Sequence, residues 1–206
     1  EIRLSLVGSE MCIRDRVRTI LYGKQYPFNA KSVILGDEEF LLREIIDQDI
    51  KELIALERDV YFGETPWTKS AFLSEIHSPI PHLYICMVTR QSTIAGFIGS
   101  RLIGNDTHIT NIAVATAFQN RGIGKLLIDE VENFAIMNDC ETLSLEVRLS
   151  NTDAQRLYRR LGFSARNIRK NYYTENNEDA LDMIKRLEVG LSLIHISEPT
   201  RLRRIS

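Results

Sequence analysis

The sequence predicts an α+β domain, a mixed α/β arrangement in which one sheet is layered with helices. Three observations lead there. Strand-like runs cluster in the middle of the chain, after two helical stretches. The hydrophobic period changes to the helical ~3.6 at Gly122 and returns to alternation at Leu143. The resulting order is strand, two helices, three strands, helix, strand, helix and two strands, with no internal repeat and no low-complexity segment.

The first strand is expected at residues 40–46. Asp47 is expected to cap a helix through Asp59, with Ile50, Leu53 and Ile54 on one face. Gly63 and Pro66 break the chain, and Thr68 caps a second helix that ends near His77, ahead of Pro79 and Pro81. Residues 83–89, 93–103 and 107–116 read as three strands. From Gly122 onward Leu127, Ile128, Val131, Phe134 and Ala135 form one helical face. Residues 143–149 alternate, with Leu143, Leu145, Val147 and Leu149 on one side and Ser144, Glu146 and Arg148 on the other. A short helix follows Asn151, with Ala154, Leu157 and Leu161 inward, and stops at Gly162. Two strands close the domain, around residues 163–172 and Glu178–Arg186.

The two ends are set aside. Residues 191–206 can be back-translated to a string whose reverse complement reads, in frame, as Glu1 through Asp15. Natural termini are not inverted copies of each other, and the string resembles a transposon-type sequencing adapter read as protein. Residues 1–16 and 191–206 are therefore expected to be non-native, which makes a basic tail of Arg201, Arg203 and Arg204 a poor sign of nucleic-acid or membrane binding. No Met lies between Met11 and Met87, so the native start is expected upstream or at a non-Met codon. Residues 17–37 show no clear period and read as an extension, native or upstream; the domain proper is placed at 38–190.

The chain carries 26 basic and 28 acidic residues, net −2, and the middle is more acidic than the ends. That balance speaks against a nucleic-acid binder. Cys86 and Cys140 make neither a disulfide framework nor a metal-ligand spacing, which fits a reduced, cytoplasmic setting and no metal. No apolar run is long enough to span a bilayer.

Chemistry concentrates in three places. Gln119, Asn120, Arg121, Gly122, Ile123, Gly124 and Lys125 follow a strand and open an amphipathic helix. At such a junction the first amides have no helical partner, the helix dipole is positive, and glycines admit a ligand close to the backbone, as a pyrophosphate requires. Leu127 occupies the third-glycine position of the dinucleotide fingerprint, and Leu126 after Lys125 breaks the P-loop pattern. The second place is Glu146, on the polar side of its strand. The third is Tyr158, beside the inward stripe of the short helix. Taken singly, each has a bland reading: a glycine turn, a solvated carboxylate, a packed tyrosine.

Together they resemble the GNAT acyltransferase superfamily over nearly all of the middle segment. Gln119, Arg121, Gly122 and Gly124 fit its Q/R-x-x-G-x-G/A motif. Asn111, Ile112, Ala113 and Val114 look like its fourth strand, which pairs with the pantetheine arm. The closer resemblance is to the bacterial ribosomal-protein-alanine N-acetyltransferases, through Pro66-Trp67-Thr68 with Phe72, residues 145–151, Arg169 to Tyr173, and Glu178-Asp179-Ala180; Lys170 departs from a usual arginine. The resemblance implies a mostly antiparallel sheet with helices on both faces and a splayed central strand pair. It implies acetyl-CoA as co-substrate, held by Ile112, Ala113, Val114, the loop from Gln119 to Lys125, and Asn151. It makes Glu146 the general base and Tyr158 the general acid, with the Val114 amide polarising the thioester carbonyl. The implied acceptor is the N-terminal alanine of a small-subunit ribosomal protein, acetylated by direct transfer in a ternary complex, in a monomer or weak dimer. A small-molecule amine acetyltransferase and a non-catalytic CoA-binding module are the alternatives.

Overall fold

The computed structural model describes residues 28–188 apart from 62, 64 and 175. The segments expected to be adapter-derived lie outside the described residues. Among the described residues, eight strands form a single sheet: β1 Lys31–Leu35, β2 Glu38–Glu44, β3 His82–Thr89, β4 Ile94–Ile103, β5 Asp106–Val114, β6 Thr142–Arg148, β7 Ser164–Tyr173 and β8 Glu178–Arg186. Their spatial order is β1-β2-β3-β4-β5-β6-β8-β7. Four α-helices accompany them among the described residues: α1 Ile50–Val60, α2 Lys69–Ile76, α3 Ile123–Met137 and α4 Thr152–Arg160. Every strand pairing is antiparallel except β5 with β6. That pair is joined by the α3 crossover, which parallel neighbours require.

Each sheet face has its own core. On one, Leu127, Ile128, Val131 and Phe134 of α3 pack on Leu143, Leu145 and Val147 of β6. On the other, Leu53 and Leu56 of α1 and Phe72 of α2 pack on Tyr84 and Phe97. β3 and most of β4 are buried on both faces, so they read as continuous apolar runs. A bulge changes the face of β5: Gly99 pairs with Asn111 but Ser100 pairs with Ile109. Ile109 therefore joins the α3 core, whereas Ala113 joins the α1–α2 core. Tyr84 is the register partner of Gly99 on β4. A Cβ at Gly99 would lie 2.1 Å from the Tyr84 ring, so the missing side chain leaves room for the ring to cross the strand. Its hydroxyl meets Thr110 Oγ1 at 2.6 Å and donates to Glu75 Oε2 at 3.1 Å.

The elements depart from sequence expectation in four places. Strand β1 lies in the stretch that showed no period; it is largely exposed, so no buried alternation marks it. Asp47 does not cap α1. It opens a 3₁₀ turn, Asp47–Asp49, and α1 starts at Ile50. The Asp49 carboxylate organises that turn, accepting the Ile46 amide at 2.9 Å and Arg43 at 2.6 Å. Leu149 falls beyond β6 and is exposed. In α4 the buried positions are Gln155 and Tyr158, while Ala154, Leu157 and Leu161 are only partly buried. Thr68 caps α2 as expected, its Oγ1 accepting the Ala71 amide at 3.2 Å.

Candidate active site

β5 and β6 pair only between Asp106–His108 and Thr142–Ser144, and then part. Beyond Ser144 the two strands are no longer paired, and the sheet is split there. Along β5, successive amides point to opposite edges. The Ala115 amide donates to Ala95 at 3.0 Å, on the β4 side. The Val114 amide therefore points to the open edge, and so does the Val114 carbonyl. Gln119 Nε2 occupies that carbonyl at 3.1 Å, so the Gln119 side chain is folded against the strand end.

At the start of α3, Gly122 is the N-cap residue with φ 89°, and no side chain caps the helix. The first-turn amides thus lack a protein partner, and a Cβ at Gly122 would meet nothing within 4 Å. Asn120 also has positive φ, 61°. Ile123 is buried in the α3 core and anchors the loop. The cations of the loop stand half-exposed at its rim: Arg121 pairs with Glu38 at 3.0 Å and lies over Phe118, and Lys125 pairs with Asp129 at 2.5 Å. This is an uncapped, electropositive helix start that fits a pyrophosphate. Ile112 and Ala113 face opposite cores of the sheet. Asn151 caps α4, its Oδ1 accepting the Ala154 amide at 3.1 Å, which leaves its amide group for any ligand contact.

Glu146 lies just past the last β5–β6 pair, on the face that carries α1 and α2 rather than α3. Its side chain is 6% exposed. His108 Nε2 stands 3.1 Å from Oε2, Arg169 reaches Oε1 at 3.0 Å, and the Tyr172 hydroxyl donates at 3.5 Å. Burial pushes the Glu146 carboxyl up, but the His108 hydrogen bond and charge, Arg169 and Tyr172 outweigh it and hold it below the ordinary carboxylate range. Glu146 is therefore an anion at neutral pH, in a place where only a few polar groups reach it.

Tyr158 is buried against Phe163 at 5.8 Å between ring centroids. Burial, then the nearby phenols of Tyr61 and Tyr173, push its hydroxyl well above the ordinary tyrosine range. Arg148 lies 4.0 Å from the Tyr173 ring and pairs with Glu178 at 3.1 Å. Burial pushes the Cys86 thiol up to about 12 and also raises Cys140, so neither is poised as a nucleophile. Among the described residues no cluster of His, Cys, Asp or Glu is arranged to hold a metal, and no helix is long and apolar enough to cross a membrane.

Residues 48–163 match the acetyltransferase (GNAT) family. The chain belongs to the GNAT acetyltransferase family. A [ribosomal protein bS18]-alanine N-acetyltransferase of Haemophilus ducreyi is 34% identical over 133 residues, covering 65% of this chain and 88% of that protein. The N-alpha-acetyltransferase RimI of Mycobacterium tuberculosis is 32% identical over 139 residues, covering 66% and 85%. The crystal structure of the Escherichia coli ribosomal-protein-S18-alanine N-acetyltransferase superposes with a TM-score of 0.64 at 26% identity, covering 75% of this chain and 97% of that one. This GNAT protein is thus an acetyl-CoA-dependent N-acetyltransferase with the expected fold: one mixed, mostly antiparallel sheet, helices on both faces, and a central pair that splays.

Two buried or half-buried polar side chains near the β5–β6 gap were not singled out by sequence reading. Glu57 of α1 is fully buried; it accepts Asn111 Nδ2 at 2.6 Å and the Trp67 amide at 3.1 Å. Burial pushes its carboxyl up against those two hydrogen bonds. His108 was missed as well. The polar side of the Thr107 to Ile109 alternation could have flagged it, but its partner is 36 residues away.

Proposed function

We propose that this acetyltransferase modifies the N-terminal α-amine of a protein in the cytoplasm, with the alanine terminus of a small-subunit ribosomal protein as its acceptor. The observation that carries the reading is the buried Glu146 anion at the mouth of the β5–β6 gap, on the strand that parts from β5. The names of the H. ducreyi and E. coli relatives supply the acceptor. An α-amine, with pKa ~8, loses its proton more readily than a lysine at ~10.4. A carboxylate of depressed basicity suffices for it when attack and proton loss are coupled.

Acetyl-CoA lies with its pyrophosphate on the uncapped amides of α3 and its pantetheine arm along the open edge of β5. Ile112, Ala113 and Val114 line that edge, and Asn151 steadies the arm from the β6 side. The Val114 amide stabilises the carbonyl oxygen as charge builds, a contribution of about 3 kcal/mol per donor. Glu146 receives the amine proton, directly or through water. Tyr158 gives a proton to the departing sulfur. The dry surroundings that keep this phenol protonated also raise the basicity of a thiolate leaving beside it. Without an activated cysteine, transfer is direct, in a ternary complex. A panel of N-terminal peptides set against polyamines and aminoglycosides tests the acceptor. The alanyl ribosomal peptide is expected to give the highest kcat/KM. A polyamine or aminoglycoside exceeding every peptide overturns the assignment.

A further inference from the structure

Asp182 of β8 is the register partner of Glu146 on β6, and both side chains are buried, so two carboxylates stand side by side across the pair. Opposed side chains on an antiparallel pair have Cβ atoms ~4.5–5.5 Å apart, and like charges placed there repel. Nothing in the transfer mechanism uses Asp182. Two arginines of β7 divide the carboxylates between them. Arg166 donates Nε and Nη2 to Asp182 Oδ2 at 3.1 and 3.0 Å. Arg169 turns towards the other: its Nη2 lies 3.0 Å from Glu146 Oε1 and 3.6 Å from Asp182 Oδ2. Its guanidinium is also 5.8 Å from the centre of the Tyr172 ring. Asp182 Oδ1 has Arg166 Nη2 at 3.0 Å but makes no aligned hydrogen bond. Asp182 thus has spare capacity to draw a guanidinium, and Arg166 is what occupies it.

We propose that Asp182 sets the proton affinity of Glu146 by holding Arg166 off the base and sharing Arg169 with it. This rests on the reading of Glu146 as the base. Glu146 is faced by His108 from β5, by Arg169, Tyr172 and Tyr173 from β7, and by Asp182 from β8. Arg101 of β4 stands beyond His108 as its register partner. His108 and Arg169 favour the anion, and a carboxylate met only by such partners is a poor acceptor for an amine proton. Asp182 is the negative charge that opposes them. Removing that charge leaves Arg166 and Arg169 with Glu146 as their shared carboxylate, and Glu146 loses basicity. Removing Arg166 does the reverse: Asp182 draws Arg169 away, and the basicity of Glu146 rises. Asp182 does not touch substrate; it is a positioning residue that acts through Arg169.

The test compares the full chain carrying Asp182→Asn, Arg166→Gln or Arg166→Lys with the wild type. Carbon-13 NMR follows the glutamate carboxyls, and the Glu146 resonance is the one that disappears in Glu146→Gln. It is expected to titrate at lower pH in Asp182→Asn and at higher pH in Arg166→Gln, each displaced by about half to one pH unit, and as in the wild type in Arg166→Lys. Single-turnover acetyl transfer at neutral pH, with whichever amine supports turnover, should slow about two- to threefold in Asp182→Asn and quicken by a similar factor in Arg166→Gln. Opposite signs are the mark, because packing damage moves both variants one way. Should Asp182→Asn fail to fold, Arg166→Gln decides alone, its side chain being half-exposed in the wild type. A Glu146 titration that stays in place in Arg166→Gln, or moves the same way in both variants, overturns the role of Asp182. Glu146→Gln separates the two claims. An inactive Glu146→Gln beside unmoved titrations keeps the base and removes the link to Asp182, whereas opposed titrations beside a fully active Glu146→Gln keep the link and remove the base.

Discussion

On the proposed coenzyme side, the groups on offer come from the main chain of residues 112–124; on the proposed amine side, they are side chains carried by α1, β5, β6 and β7. The first half needs only a strand edge left unpaired and a helix start left uncapped. Those features depend on neighbours in sequence and tolerate changes of side chain, glycine excepted. The second half needs Glu146 to meet His108 and Arg169, and Glu57 to meet Asn111 across 54 residues. It exists only once the sheet has formed. The comparison predicts that side-chain changes damage the amine half through turnover, and that only backbone-altering changes damage the coenzyme half through affinity.

The sharpest probe is Glu146→Gln, expected to lower kcat ~10²- to 10³-fold at neutral pH with little change in the KM for acetyl-CoA. Activity should recover partly as pH rises through ~8, where the amine deprotonates unaided. Full neutral-pH activity would sink the base assignment. Tyr158→Phe comes next, with kcat down ~10- to 10²-fold and the coenzyme KM nearly constant. A change confined to KM would make Tyr158 a packing residue. On the other half, Gly122→Val forces a β-branched residue to a φ of 89°. It should raise the KM for acetyl-CoA about tenfold at near-normal kcat, and lower stability by ~1–3 kcal/mol. An unchanged KM would remove the α3 start from the binding account.

The smallest effect is expected at Glu178, which joins the loop after β6 to β8. Hydrogen bonds from the Ser150 side chain, the Ser150 amide and Arg148, working against slight burial, hold its carboxyl down to about 2. A depressed folded value means that its stabilisation is present above the unfolded value of ~4.3 and lost as pH falls from there towards the folded one. Solvent screening keeps that to about 1 kcal/mol. Glu178→Gln should cost this much at neutral pH in a denaturant titration, and the deficit should close as the medium is acidified through that window.

What could be read beforehand follows the same division. The α3 face, the β6 alternation and the Gly122 junction are patterns of consecutive residues, and each was visible in the sequence. Glu146 and Tyr158 could be named only through resemblance, since a lone polar strand residue and a lone helical tyrosine carry no signature. His108 and Glu57 gave no local signal of partnership, because their partners lie on other elements. β1 escaped for a different reason: Ile34 is 72% exposed, so the strand lacks the alternation that marks a half-buried one. Asp47 was a plausible cap by residue type, but Arg43 drew Asp49 into organising the turn, a choice made by tertiary contact.

The Tyr84 ring lying across Gly99 binds two positions into one unit of inheritance. Any side chain at 99 must evict the aromatic ring, and a smaller residue at 84 would strip the bulge beside Thr110 of its cover and leave Glu75 without the phenol. Neither site can drift alone without loss, so substitution here is expected to arrive as a matched pair: an alanine at 99 should be damaging beside the tyrosine, yet nearly silent where a small residue already stands at 84.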